Sequence, residues 1–240
     1  MLAAVLLAGQ VQAADLVWTN LAGGNWSVAA NWSPNQVPGS SDNAYVTNSG
    51  TYTVTVNASV AVTSLQAGGS SGSQTLSLAA GTLSLNGASR LDLNSTLALS
   101  AGNLTGSGDV IISGALNWSG GTMSGSGRTI IANTGTLNLS TTTHDLNRVL
   151  QNDGMASWTA GVLQMNGGTF TNNGSFTANS GATLSCYGTG GANTFDNAGT
   201  FTKQGGGLTQ FYVSSSAVVF NNNGVVAVQG GSLAFAAGGS

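Results

Sequence analysis

Phe170-Thr171-Asn172-Asn173-Gly174, Phe195-Asp196-Asn197-Ala198-Gly199 and Phe220-Asn221-Asn222-Asn223-Gly224 share one grammar: an apolar residue, any residue, Asn, any residue, Gly. Leu150-Gln151-Asn152-Asp153-Gly154 is a fourth copy, and the leading positions 150, 170, 195 and 220 are spaced by 20, 25 and 25 residues. Two residues past the Gly, three copies place another apolar side chain: Phe176, Phe201 and Val226. The second half of the unit brings Leu184, Leu208 and Leu233, each preceded by Gly or other small residues.

Upstream the period shortens. Leu104-Thr-Gly-Ser-Gly-Asp-Val-Ile-Ile matches Met123-Ser-Gly-Ser-Gly-Arg-Thr-Ile-Ile at an offset of 19, which also takes Leu91 to Val110, Leu93 to Ile112, Leu97 to Leu116 and Leu99 to Trp118. Apolar residues alternate within copies, as in Leu83-Ser-Leu85, Leu91-Asp-Leu93 and Leu137-Asn-Leu139, the period of a strand with one buried face. Units of 19 to 25 residues holding short strands between Gly and Asn turns have the length of one β-solenoid rung. Stacking sets each rung about 4.8 Å above the last, so like residues form columns. A β-propeller blade needs roughly twice this period. The expected fold is all-β, a parallel β-solenoid.

Composition agrees. The 240 residues include 37 Gly, 2 Pro and only 5% charged side chains, and every one of the 7 acids is Asp. Helix surfaces draw on Glu, Lys and Arg, whereas Ser, Thr, Asn and Gly suit strands joined by tight turns. A hydrophobic content of 41% supplies a core. The net charge of −3 excludes a basic nucleic-acid surface.

The chain start reads as an export signal. Leu2 to Ala8 is a short apolar run, and Val11-Gln12-Ala13 fits a cleavage site, although no Lys or Arg precedes the run, as in a truncated or weak signal. The run is too short to span a membrane, and no later stretch reaches that length. The expected division is a signal peptide over 1–13, an N-terminal cap with first strands over 14–75, and solenoid rungs over 76–240. The sequence stops at Gly238-Gly239-Ser240 in mid-pattern, so rungs are expected to continue and an open last rung to favour self-association.

Several columns carry chemistry. Asn152, Asn172, Asn197 and Asn222 align; stacked amides can bond rung to rung as a ladder or contact a substrate, and the following Gly is expected to supply a positive φ where the coil turns. Arg90, Asp109 and Arg128 lie at offsets of 19, a column of alternating charge, with Arg148 next and Asp145 near enough to compensate it. The same groups, with Asp92, would make an acid/base site if they converged in a groove. Thr169-Phe-Thr171 and Thr200-Phe-Thr202 could form an ice-binding array, but Val225 and Ala227 interrupt their columns, leaving ordinary solvent-facing strand threonines. Cys186 is alone, so no intrachain disulfide is available, and it reads as a small buried hydrophobe. His144 has no His or Glu partner for a metal cluster, no nucleophile motif appears, and no cofactor is expected.

Residues 18–42 differ: Trp18, Trp26, Trp32, both prolines and Asp42 crowd together without a visible period. An aromatic segment can cover the open edge of a first rung, and exposed Trp18, Trp26 and Trp32 can instead stack on sugar rings. Trp18…Gly24-Asn25-Trp26…Asn31-Trp32-Ser33…Val37-Pro38…Asp42-Asn43-Ala44, followed by Thr51-Tyr-Thr-Val-Thr-Val, resembles the opening of repeat-rich bacterial surface proteins, the autotransporter and haemagglutinin-like β-helix adhesins. The later Thr-Phe-Thr-Asn-Asn-Gly-Ser-Phe units are similar to their passenger repeats. The resemblance implies a right-handed parallel β-helix displayed outside the cell, with adhesive or scaffolding roles and no catalytic residue carried over. It shows no amphipathic C-terminal strands of a translocating barrel and no sorting signal. The first functional reading is therefore a secreted or cell-surface display rod, non-catalytic, meeting surface glycans or other copies of itself. The alternatives are a polysaccharide lyase or hydrolase on the same scaffold, a carbohydrate-binding module, and a spacer without a ligand.

Overall fold

A computed structural model describes residues 13–236; of the expected signal peptide, residues 1–12 lie outside this range. The chain winds as a parallel β-solenoid whose strands, among the described residues, form three sheets of 11, 10 and 9 strands. Successive strands go to successive sheets: Val110–Ile112 to the first, Ala115–Trp118 to the second and Gly121–Met123 to the third, after which Arg128–Ile131 returns to the first. Alternation within each strand turns one side chain in two toward a shared core. In the first sheet Val110, Thr129, Leu150, Phe170, Phe195 and Phe220 lie over one another, and in the second Leu97, Leu116, Leu137, Ala156, Phe176 and Phe201 do so.

From Phe170 onward the core becomes aromatic. Phe170 and Phe195 stack with centroids 4.7 Å apart and planes 1° from parallel, and Phe176 over Phe201 repeats this at 5.2 Å. The longer rung places its additional residues in the turn at 180–183 and in the third-sheet strand Leu184–Gly190.

Three register expectations are corrected. Leu91 lies beside Ile112, at an offset of 21, although the second sheet of the same rung pairs Leu97 with Leu116 at 19. Three residues, Asp92–Asn94, join the strands of that rung, against two, Ser113 and Gly114, in the next. The excess is thrown outward, which leaves Leu93 67% exposed instead of in the core. In the third sheet the inward column is Leu184, Thr209, Leu233, and Leu208 sits one residue out of phase; a one-residue slip exchanges the faces of a strand. The motif glycines Gly154, Gly174, Gly199 and Gly224 do not adopt positive φ. They are required by close stacking: a Cβ on Gly199 would collide with the carbonyl oxygen of Gly174, and one on Gly224 with that of Gly199.

Among the described residues the first strand is Asp15–Trp18, which pairs in parallel with Asn43–Val46. There is no break in stacking near residue 76, because Gly50–Thr55 pairs with Gly72–Leu78 across it. The irregular 19–42 segment is an excursion between the first two rungs. It returns Trp32–Ser33 antiparallel along Val17–Trp18 and so covers the outer edge of the first sheet. Trp32 meets Trp18 edge-on at 5.1 Å and Trp26 at 4.7 Å.

Candidate binding faces

The aligned asparagines point inward and bond in series. Asn152 donates Nδ2–H to Asn172 Oδ1 at 2.8 Å, Asn172 to Asn197 at 2.7 Å and Asn197 to Asn222 at 2.7 Å. Each of the first three amides gives its other hydrogen to a backbone carbonyl: Ser175, Thr200 and Val225 respectively, at 3.1 Å. Asn152, Asn172 and Asn197 are buried, so no substrate reaches them. Asn152 Oδ1 has no donor, because the neighbouring rung places Ile131 beside it.

The charged residues divide into separate groups. Arg128 holds Asp109 through Nη2 at 2.6 Å, Nε at 3.0 Å and its backbone N–H at 2.8 Å. These hydrogen bonds hold the Asp109 carboxyl below its ordinary range. Arg90 does not join this column. The longer turn after it sets it beside Ile111, and its nearest carboxylate is Asp92, at 3.5 Å. Arg148 is buried at the corner between the third and first sheets. It donates to Gly127 O at 2.7 Å and Gly108 O at 3.4 Å, while Nη1 is unpartnered. Burial pushes its guanidinium down to about 10. Asp145 does not compensate it; that carboxylate faces outward on the third sheet, bonded by Thr122 at 3.5 Å. Of Asp92, Asp109, Arg128, Asp145 and Arg148, only Asp109 and Arg128 are bonded to each other; Arg148 lies within electrostatic reach of Asp109 without a bond to it, so no three of them meet within hydrogen-bonding reach.

His144 points inward between rungs. Nε2 lies 2.9 Å from Trp118 O and 3.1 Å from Ser140 O, and Nδ1 lies 3.0 Å from Val162 O. Burial pulls its pKa below the usual value, partly opposed by these carbonyls. Cys186 is buried against Met165, with its thiol pKa raised by desolvation. Lys203, which no sequence repeat marks, also faces inward and caps the carbonyls of Gln204 and of Gly205, the latter at 3.0 Å. Among the described residues no group of three His, Cys, Asp or Glu is placed to hold a metal ion, and no helix is long and apolar enough to cross a membrane.

The three tryptophans cannot stack on a sugar as they stand. Trp18 and Trp26 have no exposed surface and Trp32 has 2%, because the 19–42 excursion folds them onto the first rung.

What remains accessible is the outside of the sheets. On the second sheet, one outward column runs Thr53, Thr75, Thr96, Ala115, Thr136, Met155, Ser175, Thr200, Val225. Its neighbour runs Thr55, Ser77, Ala98, Asn117, Asn138, Ser157, Thr177, Thr202, Ala227. Neither column contains a charge, and most of the side chains are short. Asn138 bonds Asn117 across rungs at 2.8 Å. A shallow groove of about 350 Å³ runs over this face, lined by Thr136, Asn138, Met155, Ser157, Ser175 and Thr177. The first sheet differs, exposing Asp15, Arg90, Asp109, Arg128 and Asp196 in its outward positions. Regular rung spacing with one charge-free face makes broad, repeated contact chemically available.

Comparison with protein-family models, with curated proteins and with solved structures returns no match.

Proposed function

We propose that this chain is exported and acts outside the cell or on its surface as a non-catalytic display rod, in the manner of the adhesin passengers that its opening motif resembles. The observation that carries the reading is the second sheet's outer face: two columns of mainly Thr, Ser, Asn and Ala held in register over nine strands with no charge. Small hydroxyl and amide groups on a rigid sheet lose little side-chain entropy on contact and demand no counter-charge, which suits neutral surfaces. The apolar Leu2–Ala8 run and the Val11–Ala13 site support export.

Beads coated with the chain should be retained on films of neutral polysaccharide under flow. A Thr136→Asp/Thr177→Asp variant should be retained less than the parent, because its outward carboxylates would have to be desolvated at the contact. Equal retention of parent and variant, or no retention of the parent, would overturn the reading.

A further inference from the structure

A second accessible feature lies on the third sheet and is independent of the charge-free face. Its outward column runs Thr82, Asn103, Thr122, Asp145, Gln164, Tyr187, Tyr212, one residue from each successive rung. Tyr187 and Tyr212 sit ring beside ring on adjacent rungs, centroids 5.2 Å apart and planes 47° apart, and both are half-buried. The Tyr187 hydroxyl donates to Gln164 Oε1 at 2.9 Å, which ties one ring to the preceding rung. In the adjoining column Gln210 donates to Ser185 Oγ at 3.0 Å. Asp145 continues the file; its Oδ2 accepts from the Thr122 hydroxyl at 3.5 Å, and its Oδ1 is buried without a partner.

We propose that the file Asp145–Gln164–Tyr187–Tyr212 is a binding site for a neutral hexose chain laid along the rod axis. Three properties lead to that ligand class. The tyrosine rings offer flat apolar surface with polar tips, which matches the C–H faces and hydroxyl rims of pyranose rings. The amide of Gln164 and the carboxylate of Asp145 follow in the same line at the rung spacing of about 4.8 Å, so a polymer with a short repeat meets one group after another. The charge pattern selects against anions: neither this column nor its neighbour, Thr143, Val162, Ser185, Gln210, Ala234, contains a cation. A uronic-acid or sulfated chain would meet the Asp145 carboxylate uncompensated, whereas a neutral one can donate a hydroxyl to its Oδ2. The Tyr187–Gln164 bond fixes one ring before binding and lowers the ordering cost.

Calorimetric titration of the intact chain with soluble neutral oligosaccharides of increasing length, derived from glucan, mannan and chitin, tests the site. At least one series should bind, with affinity rising until the oligomer spans four rungs. Tyr187→Ala with Tyr212→Ala should weaken it by about tenfold or more, while Tyr187→Phe, which keeps the ring, should stay within about threefold. These side chains face outward, so circular dichroism and thermal midpoints should match the parent. The Thr136→Asp/Thr177→Asp variant should bind oligosaccharide as the parent does, which separates failure of this site from failure of the second-sheet reading. No binding by any neutral series, unchanged affinity in the double-alanine variant, or tighter binding of uronic-acid oligomers would overturn the proposal.

Discussion

Asn172 donates its side-chain amide to Asn197 Oδ1 at 2.7 Å, and this bond joins two rungs inside the core, where neither partner sees water. Asn172→Leu leaves Asn197 Oδ1 and the Thr200 carbonyl without these donors, and removes the acceptor that Asn152 uses. Orphaned buried polar groups cost about 1–3 kcal/mol each, so the variant should lose at least 2 kcal/mol, roughly, in urea unfolding. Asn222→Leu should cost less, since Asn222 is only half-buried and its Nδ2 bond at 3.2 Å stays within its own turn. Equal losses at the two positions would show that the ladder does not act as a connected series.

Phe195 is the centre of the aromatic core, stacked between Phe170 at 4.7 Å and Phe220 at 5.3 Å and met edge-on by Phe176, Phe201 and Phe211. Phe195→Ala should cost about 3–5 kcal/mol by emptying a ring-sized space between rigid neighbours. Phe195→Asp should cost more, since a carboxylate there has no partner and must be protonated to remain. A thermal midpoint near that of the parent for the aspartate variant would contradict the inward column.

The parts of the fold that were legible in sequence are those where like residues recur on every rung. The Phe–Asn–Gly units could be aligned because the same collisions and the same amide bonds recur at Asn172, Asn197 and Asn222. The offset of 19 fails at Leu91 because the longer Asp92–Asn94 connection shifts one sheet while leaving Leu97 and Leu116 at the short offset. Leu93 kept the apolar identity of a core residue after the turn had carried it into solvent. The first rungs were hidden for a related reason, the 19–42 excursion, which stretches the pairing of Leu16 with Ala44 beyond any repeat. Tyr187 and Tyr212 form no visible repeat in the sequence because only two rungs carry them. The signal that could have found them is their common offset of 25 from each other, shared with Phe195 and Phe220.

Two arginines, Arg128 exposed and Arg148 buried, should respond differently to substitution. Arg128 and Asp109 are exposed, so Arg128→Ala should change stability little, and less still at high salt. Asp109 has a lowered pKa in the folded state, so its contribution is present above about pH 3.9 and is lost as pH falls through the lower folded value. Arg148→Met should instead cost about 1–3 kcal/mol independently of salt, because the Gly127 and Gly108 carbonyls lose a buried donor. Denaturant titrations at low and high ionic strength check both, and strong salt dependence at Arg148 would contradict its assignment to the backbone.

His144 makes stability depend on pH in a window of its own. Burial lowers its folded pKa, so the unfolded chain binds the proton more readily. Its contribution is complete above the unfolded value of about 6.5 and declines as pH falls below that toward the lower folded value. Asp145, raised chiefly by its own desolvation, acts with the opposite sign, since a folded state that binds its proton more readily gains stability as pH falls. The two are separable by substitution. His144→Gln should flatten the loss of stability between about pH 6.5 and the onset of carboxylate titration, whereas Asp145→Asn should steepen the net slope at the acid end. At pH 8 the neutral imidazole carries one N–H, so it donates either to Val162 O from Nδ1 or to Trp118 O and Ser140 O from Nε2, and not to both sides. Urea midpoints measured from pH 8 to pH 5 decide the matter: a parent whose stability is flat across pH 6.5 to 5.5, or a His144→Gln variant that keeps the parent's slope, would remove the histidine from this role.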